Sequence, residues 1–483
     1  MEAGALIGLT VLIAYILLGL AIAFYSRKFL KPGEVDFYIA SRRLGGLVSA
    51  LTYSATTYSA FMMVGLVGLA YATGVGAHGF ELAYYIATLA LLTYFAPRVW
   101  ARARSRGWVS PAEMLSDYYG SKLVGALTVL VYLVSLIPYT SIQVIGVGLV
   151  LSQLMGGEGY YVIGILLAAV LIVAWSLIAG VWSVALTDAF QGLWMLLAGL
   201  LYLAWLSTVV VGSLGLSGVA TILSEKGLLG LTGFWSFHVF LAFTIPWVFF
   251  ATVHPQVVQR IYMPRDEGSL ATMIRGFAVF GLLYTLLSTL IGLLARAGAD
   301  AGVLPYVDPA KRDLVTPTLL SIANPVLSAI VFTSIAVAAI TTADSIILTL
   351  ASGISRDLAY RLEERLRLVA GYTSIIAFTA VTLIVAYLRL GFIVDLAVLT
   401  SLMLLAIAPV TLACWLNIRA PPWAALASIA AGFLVVVIAI AENIDKPTRA
   451  LLETPLGIPI AVLVLLTSTT ILLLGALIQK ARR

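Results

Sequence analysis

Two stretches of an otherwise apolar chain carry side chains that can do chemistry. Ser334, Ala338, Thr341, Thr342, Ser345, Thr349 and Ser352 follow one another at steps of one, three or four residues. That spacing collects hydroxyls and small side chains on one helical face. Asp344 sits beside the face, and Arg356 and Asp357 close the segment. A hydroxyl stripe inside a membrane either packs tightly on other helices or faces something polar. The second stretch holds Thr52, Tyr53, Ser54, Thr56, Thr57, Tyr58 and Ser59, then Gly65 and Gly68. Here polar residues cover every side of a helix. A continuous helix would turn hydroxyls toward lipid. An interrupted helix whose freed carbonyls line a cavity fits better than packing by small residues.

A third stretch, FTIPWVFFATVHPQVVQR, places Pro246 and Pro255 in an apolar run. Each removes a backbone donor and opens carbonyls. Trp247 lies between them and His254 precedes the second. Either residue lines a site or packs in a core. Three carboxylates stand apart from the loops. Asp188, in AGVWSVALTDAFQG, reads as a helix-start cap or as a group on an ion exit path. Glu81, after Gly74, Gly76 and Gly79, reads as an N-terminal helix charge or as a site residue. Asp395 has no identifiable partner in the sequence.

The elements that must position these residues follow from composition. The 483 residues are 62% hydrophobic and 10% charged, with mean hydropathy +1.07. A soluble protein of this size cannot bury that much apolar surface, so an all-α polytopic membrane protein is expected. Thirteen apolar segments are long enough to span: 3–25, 46–73, 79–97, 123–155, 160–179, 189–212, 233–255, 276–296, 325–354, 369–388, 391–416, 423–441 and 458–478. The first lacks a basic leader and reads as a retained helix. The single cysteine, Cys414, allows no internal disulfide.

An odd number of spans puts the termini on opposite sides. With the C-terminus cytoplasmic, inner loops hold 21 of the 28 Lys and Arg, Arg260 counted among them. The outer side keeps Lys226, Arg296, Lys311, Arg312, Arg389, Lys446 and Arg449. That bias predicts a plasma-membrane protein with its N-terminus outside. The longest outer loops, 213–232 and 297–324, are expected to hold short helices over a vestibule. The inner stretch 356–367 reads as an amphipathic helix on the cytoplasmic surface. The net charge of +6 lies in short loops and is no nucleic-acid signal. No GxxxxGK loop, HExxH motif or Cys/His cluster occurs, which argues against ATP drive, cofactors and intramembrane catalysis.

The broken second and seventh spans stand five apart, so they run in opposite directions. That is the pattern of inverted-topology repeats, with a site at the midplane where broken helices meet. The expected division is 1–45 as an extra helix and inner loop, 46–212 and 233–416 as the repeats, and 423–483 as two further helices.

At this point the chain resembles the sodium/solute symporter family over nearly its whole length. The resemblance is carried by DFYIASRRLGGLVSALTYSATTYSAFMMVGLVGLAYATG (Asp36–Gly74), WVSPAEMLSDYYGSK (Trp108–Lys122) and AGVWSVALTDAFQ (Ala179–Gln191). HPQVVQRIYMPRD (His254–Asp266) and AAITTADSIILTLASGISRDLAY (Ala338–Tyr360) complete it. It implies about 13 transmembrane helices in a LeuT-like fold of inverted five-helix repeats, and sodium-coupled symport of a small organic solute by alternating access. It also implies one sodium site, formed by the carbonyls of Ala55, Tyr58 and Ala338 and the hydroxyls of Thr341 and Thr342. Oxygen-only ligation suits a hard monovalent ion. The same resemblance places Asp188 near the inner sodium path, and Thr57, Ser59, Glu81 and Trp247 at the solute site. His254 joins that set from its position at the helix break. Ser345, Thr349 and Ser352 would continue below the ion toward the cytoplasm.

Proline-transporting members place an aspartate where Thr57 aligns. The run SATTYSA is nearer to members that carry pantothenate or other monocarboxylates. Proton coupling through Glu81, Asp188 or Asp344 is the nearest rival, and a channel is a further one.

Overall fold

Lipid offers no hydrogen bonds to a backbone, so apolar runs of this length become helices. The computed structural model describes residues 2–389, 391–443, 451 and 457–481. Four charges of the orientation tally, Lys446, Arg449, Arg482 and Arg483, lie outside the described residues. Among the described residues twelve helices are long and apolar enough to cross a membrane. A bent pair, Gly46–Thr57 with Phe61–Thr73, makes the thirteenth. The expected all-helical architecture and its span count are therefore what the chain adopts.

Each span keeps its ordinal from the N-terminus. The ninth, Pro325–Gly353, and the eleventh, Ile393–Leu416, are the central elements: an 18-residue apolar stretch within each segment is 83% and 94% buried. The first and tenth spans, Glu2–Ser26 and Glu364–Leu388, lie at the periphery. The inner half of the second span packs on the sixth, Val181–Leu206, and the eighth, Glu267–Asp300. The ninth packs on the first, fourth and sixth.

The second span is interrupted as expected. Its helix stops at Thr57, and Tyr58 takes extended angles, φ −101° and ψ 122°. The chain restarts through a wide π-type turn at Phe61–Leu66, and the two halves meet at 51°. Serine and threonine side chains compete with helical backbone bonds, and here Phe61 N–H donates to Ser59 Oγ at 3.2 Å. The seventh span is also interrupted, but not at Pro246, which lies inside the helix Phe237–Val248. The breaks fall at Phe249 and His254, and Pro255 starts a last helical piece, Pro255–Arg260. Proline is tolerated at a first helical position, where its missing N–H has no partner to lose. The span therefore ends at Arg260 rather than at residue 255.

Two glycines are required by shape. Gly180 (φ +55°) separates the fifth and sixth spans against the Phe37 carbonyl, and Gly74 (φ +77°) ends the second span against the Leu228 carbonyl. Because the sixth span starts at Val181, Asp188 lies two turns inside it and is no helix cap. Glu81 likewise sits within the third span, Gly76–Arg106, away from its first turn.

The two long loops expected on the outer side do hold short helices, at Gly212–Glu225 and Val315–Ile322. The second of these is tied to the broken span by a bond from Thr316 Oγ1 to the Met63 carbonyl at 2.5 Å. Asp395 does have a partner: Arg312, from the outer loop, meets it at 2.6 Å. Loop and span residues 83 positions apart cannot be paired from sequence.

The inner stretch 356–367 is not a surface helix. A π-type turn at Ile354–Leu358 and a bend lead directly into Glu364–Leu388. Arg356 and Arg367 instead converge on buried Glu34 at 3.1 and 2.9 Å, and Arg356 also meets Glu113 at 2.5 Å. Ser355 adds a hydroxyl bond to Glu34. Burial raises the Glu34 pKa, but the bonds from Arg367, Ser355 and Arg356 outweigh it and hold the group below its ordinary value. A depressed carboxylate contributes stability above its unfolded pKa and loses it as pH falls through the folded one. Glu34→Gln is expected to cost roughly 1–3 kcal/mol at neutral pH. The gap in unfolding midpoint between wild type and variant should shrink as pH drops below about 4. A gap independent of pH contradicts the assignment.

Candidate functional site

The interruption at Tyr58 faces the hydroxyl stripe of the ninth span. Thr341 Oγ1 lies 3.3 Å from the Ala55 carbonyl oxygen and 3.0 Å from that of Ala338. Thr342 Oγ1 lies 3.4 Å from the same Ala55 oxygen. Four of the five expected ion ligands thus meet at one point, and Tyr58 sits at the break beside them. All five residues are buried. The Tyr58 ring packs between Phe277 and Phe280 of the eighth span, at 5.9 Å from each. That fixes the side chain and leaves its backbone at the helix end.

One turn along the ninth span lies a charged cluster that sequence reading missed. Arg260, counted there as a loop residue, is buried. Its Nε donates to Thr52 Oγ1 at 3.1 Å and its Nη2 to Ser345 Oγ at 2.5 Å. Nη2 also lies 3.5 Å from Asp188 Oδ2. Asp188 Oδ2 accepts from Thr52 at 2.6 Å and from Thr56 at 3.4 Å. Thr56 and Ser345 share a bond at 3.0 Å. Asp344 belongs to this cluster: its buried carboxylate lies within electrostatic reach of Asp188 and Arg260 and beside the backbone N–H and hydroxyl of Ser345. Two carboxylates thus face one guanidinium. Arg260 was legible in principle: Gln256, Gln259 and Arg260, at i, i+3 and i+4, form a polar face on the piece after Pro255.

Gln259 engages the rest of the stripe. Thr349 Oγ1 donates to Gln259 Oε1 at 2.7 Å. Gln259 Nε2 donates to Ser352 Oγ and to the Val109 carbonyl, both at 2.9 Å. Ser345, Thr349 and Ser352 are therefore bonded to the seventh span.

The other expected site residues gather on the opposite side of the break. Trp247 Nε1 donates to Glu81 Oε2 at 3.1 Å, and both residues are buried. Phe61, Phe80, Tyr84 and Phe250 surround Trp247, with ring centroids 5.1 to 5.8 Å away. Phe250 stacks on His254 at 3.6 Å, so the aromatic wall reaches the second break of the seventh span. His254 is also bonded through Nε2 to Ser401 Oγ at 2.9 Å and through Nδ1 to Gln256 at 3.3 Å. Ser59 caps the restart of the second span. Thr57 is turned inward on its own helix, its hydroxyl donating to the Tyr53 carbonyl at 2.7 Å. The structure thus brings together Glu81, Trp247 and His254, whereas the Thr57 hydroxyl donates within its own helix and keeps only its acceptor side free.

Comparison with known proteins bears on this arrangement. The family described as the sodium:solute symporter family matches residues 37–418. The osmoregulated proline transporter OpuE of Bacillus subtilis is 23% identical over 457 residues, which is 90% of this chain and 89% of that protein. A sodium/proline symporter of Staphylococcus aureus is 26% identical over 192 residues, 38% of this chain and 36% of that one. Among solved structures, a substrate-bound, outward-open Na+-coupled sialic acid symporter superposes with a TM-score of 0.79. It is 18% identical and covers 98% of both chains. A nucleobase-cation-symport-1 family transporter in a closed conformation gives a TM-score of 0.57 at 13% identity, covering 93% of this chain and 96% of that one.

Proposed function

The chain belongs to the sodium:solute symporter family, and on that premise we propose where it holds sodium and what kind of solute it carries. It is a sodium-coupled secondary transporter that imports a small organic solute. The ion is held by the carbonyls of Ala55, Tyr58 and Ala338 and the hydroxyls of Thr341 and Thr342. The oxygen spacing supports this. A hard cation with ligands at about 2.3–2.6 Å, set roughly at right angles, puts neighbouring oxygens about 3.3–3.7 Å apart. The separations of 3.3 and 3.4 Å from Ala55 to the two hydroxyls fit that figure and are long for hydrogen bonds. When both are ionised, Asp188 and Asp344 outweigh Arg260 and add attraction for a cation about 6 Å away, one helical turn from Thr341.

The solute carries a cationic nitrogen, as an amino or imino acid does. The observation behind this is the bond from Trp247 to buried Glu81 inside an aromatic box. A buried carboxylate needs partners, and aromatic faces attract cations. An ammonium or iminium group satisfies both, whereas a simple monocarboxylate such as pantothenate meets repulsion. The carboxylate that proline carriers place at the position of Thr57 is supplied in this reading by Glu81, from the next span. Proline transport by the relatives agrees with it. Glu81→Gln removes a charge-assisted contact of about 1.5–3 kcal/mol and is expected to raise the half-saturation for solute about 10- to 100-fold. The sodium half-saturation should stay nearly constant. Tighter uptake of pantothenate than of any amino acid, or an unchanged Glu81→Gln variant, overturns the class.

The same reading places the N-terminus outside, the C-terminus in the cytoplasm and the protein in the plasma membrane. It takes 46–212 and 233–416 as the two repeats, flanked by 1–45 and 423–483. One sodium ion entering down ~100 mV releases about 2.3 kcal/mol, and a tenfold gradient adds roughly 1.4 kcal/mol. Together these hold a net-neutral solute, a zwitterion included, a few hundredfold concentrated. An anion entering with one sodium forgoes the voltage contribution. A second reading, proton coupling in the same fold, draws on the buried carboxylate of Asp344 beside Asp188 and Arg260.

A further inference from the structure

Away from the transport path, the arginine-rich end of the bundle contains a cleft that the transport mechanism does not use. It has a volume of about 580 Å³ and lies between the inner ends of the third, eleventh and thirteenth spans. Arg102 and Arg106 enter it from the third span, and Arg419 from the turn after the eleventh. A neighbouring hollow of about 350 Å³ shares Arg419 and adds Lys480 from the end of the thirteenth span. Against these four cations the cleft holds one carboxylate, Asp117. Asp117 accepts from Trp108 Nε1 at 2.9 Å and stands 3.9 Å from Arg106, a loose pair. Arg419 and Lys480 have no ion pair among the described residues, and both are exposed. Arg102 is held in place by its bond to the Cys414 carbonyl at 2.9 Å.

The walls change character in one direction. The hollow's edge is formed by Ile418, Leu473 and Leu477, which are 40%, 47% and 62% exposed on the outer surface of the bundle. Trp423, half exposed, starts the adjoining twelfth span. A tryptophan at a span end marks the depth of the lipid headgroups. Unneutralised cations at that depth, opening sideways onto apolar side chains that face acyl chains, match an amphiphilic anion. A freely soluble anion has no use for the apolar edge.

We propose that this cleft binds the phosphodiester headgroup of an anionic glycerophospholipid, with its acyl chains running along Leu473 and Leu477. Basic pockets between spans on the cytoplasmic side recognise such headgroups by charge, and arginine does so with paired donors. Asp117 and Trp108 connect the cleft to the helix Pro111–Tyr119, which also carries Glu113, the partner of Arg356. A bound lipid is thereby placed against the helix that closes the inner end.

The test uses the full-length protein in detergent and three probes at matched ionic strength: dioctanoyl phosphatidylglycerol, dioctanoyl phosphatidylcholine and inorganic phosphate. Only phosphatidylglycerol is expected to raise the unfolding midpoint saturably. The rise should be lost in the Arg106→Gln/Arg419→Gln/Lys480→Gln variant, while sodium-driven uptake in neutral liposomes persists. Native mass spectrometry of the wild type provides a measure independent of the variant's folding, and should retain phosphatidylglycerol in preference to phosphatidylcholine. An equal response to phosphatidylcholine, or an undiminished rise in the variant, overturns the site. A rise of the same size with inorganic phosphate makes it a soluble-anion site and overturns the lipid assignment.

Discussion

Thr341→Ala combined with Thr342→Ala is expected to abolish sodium-stimulated uptake in proteoliposomes while the protein still inserts and folds. Both hydroxyls lie within 3.4 Å of the Ala55 carbonyl and are buried. In the proposed site they are two of five oxygens offered to the ion. Each contact of a neutral donor or acceptor with a charge is worth about 1.5–3 kcal/mol. Losing both weakens sodium binding by at least a hundredfold. Threonine to alanine removes little volume, so the packing cost is about 1 kcal/mol per site. Loss of the sodium effect with expression intact thus separates ligation from folding. Thr341→Ser with Thr342→Ser keeps both hydroxyls and should retain most of the response. Undiminished sodium stimulation in the alanine pair removes these hydroxyls from the site.

Arg260→Met is the second large effect, and it acts on stability as well as on transport. In the membrane interior Arg260 is the cation facing Asp188 and Asp344, and it holds Thr52 and Ser345 in place. Removing one partner of a buried ion cluster costs about 3–5 kcal/mol, because the remaining charges stay buried and uncompensated. Two facing carboxylates then repel each other, and transport should fall with stability. Arg260→Met with Asp344→Asn returns the cluster to its original net charge and should recover part of the loss. A nonzero coupling energy between the two changes in a double-mutant cycle is the expected measurement. Strict additivity contradicts electrostatic pairing of Arg260 with Asp344.

These residues also mark how far the sequence alone could be read. Hydropathy reveals the spans because lipid leaves a backbone no alternative to helices. The break at Tyr58 was legible because hydroxyls on every side of a helix cannot all avoid lipid. The Thr341/Thr342 stripe was legible from its helical spacing. Arg260 was missed although its polar face was there to read, because a proline at 255 reads as the end of a span, whereas proline at a first helical position starts one. That one-and-a-half-turn extension turns a loop charge into a buried one and withdraws Arg260 from the orientation tally. Glu81 and Trp247 were placed at the solute site by resemblance, but their mutual bond joins residues 166 positions apart, beyond any local pattern. At Thr57 a local bond is what the structure adds. A threonine in a helix readily bonds to the carbonyl four residues back, and here it does so with Tyr53. The inner stretch 356–367 read as amphipathic because its arginines alternate with apolar residues. Their true partners, Glu34 and Glu113, lie more than 240 positions away.

Sodium coupling itself is tested most directly by uptake into proteoliposomes of wild-type protein, with an inward sodium gradient set against choline and every proton gradient collapsed by an ionophore. The solute is first chosen from amino and imino acids by its sodium-dependent rise in unfolding midpoint. Concentrative uptake with sodium and none with choline is the predicted result, with saturation and counterflow that a channel lacks. Equal uptake with choline, driven instead by an imposed pH gradient when the ionophore is absent, contradicts sodium coupling and assigns the work to the carboxylates around Arg260.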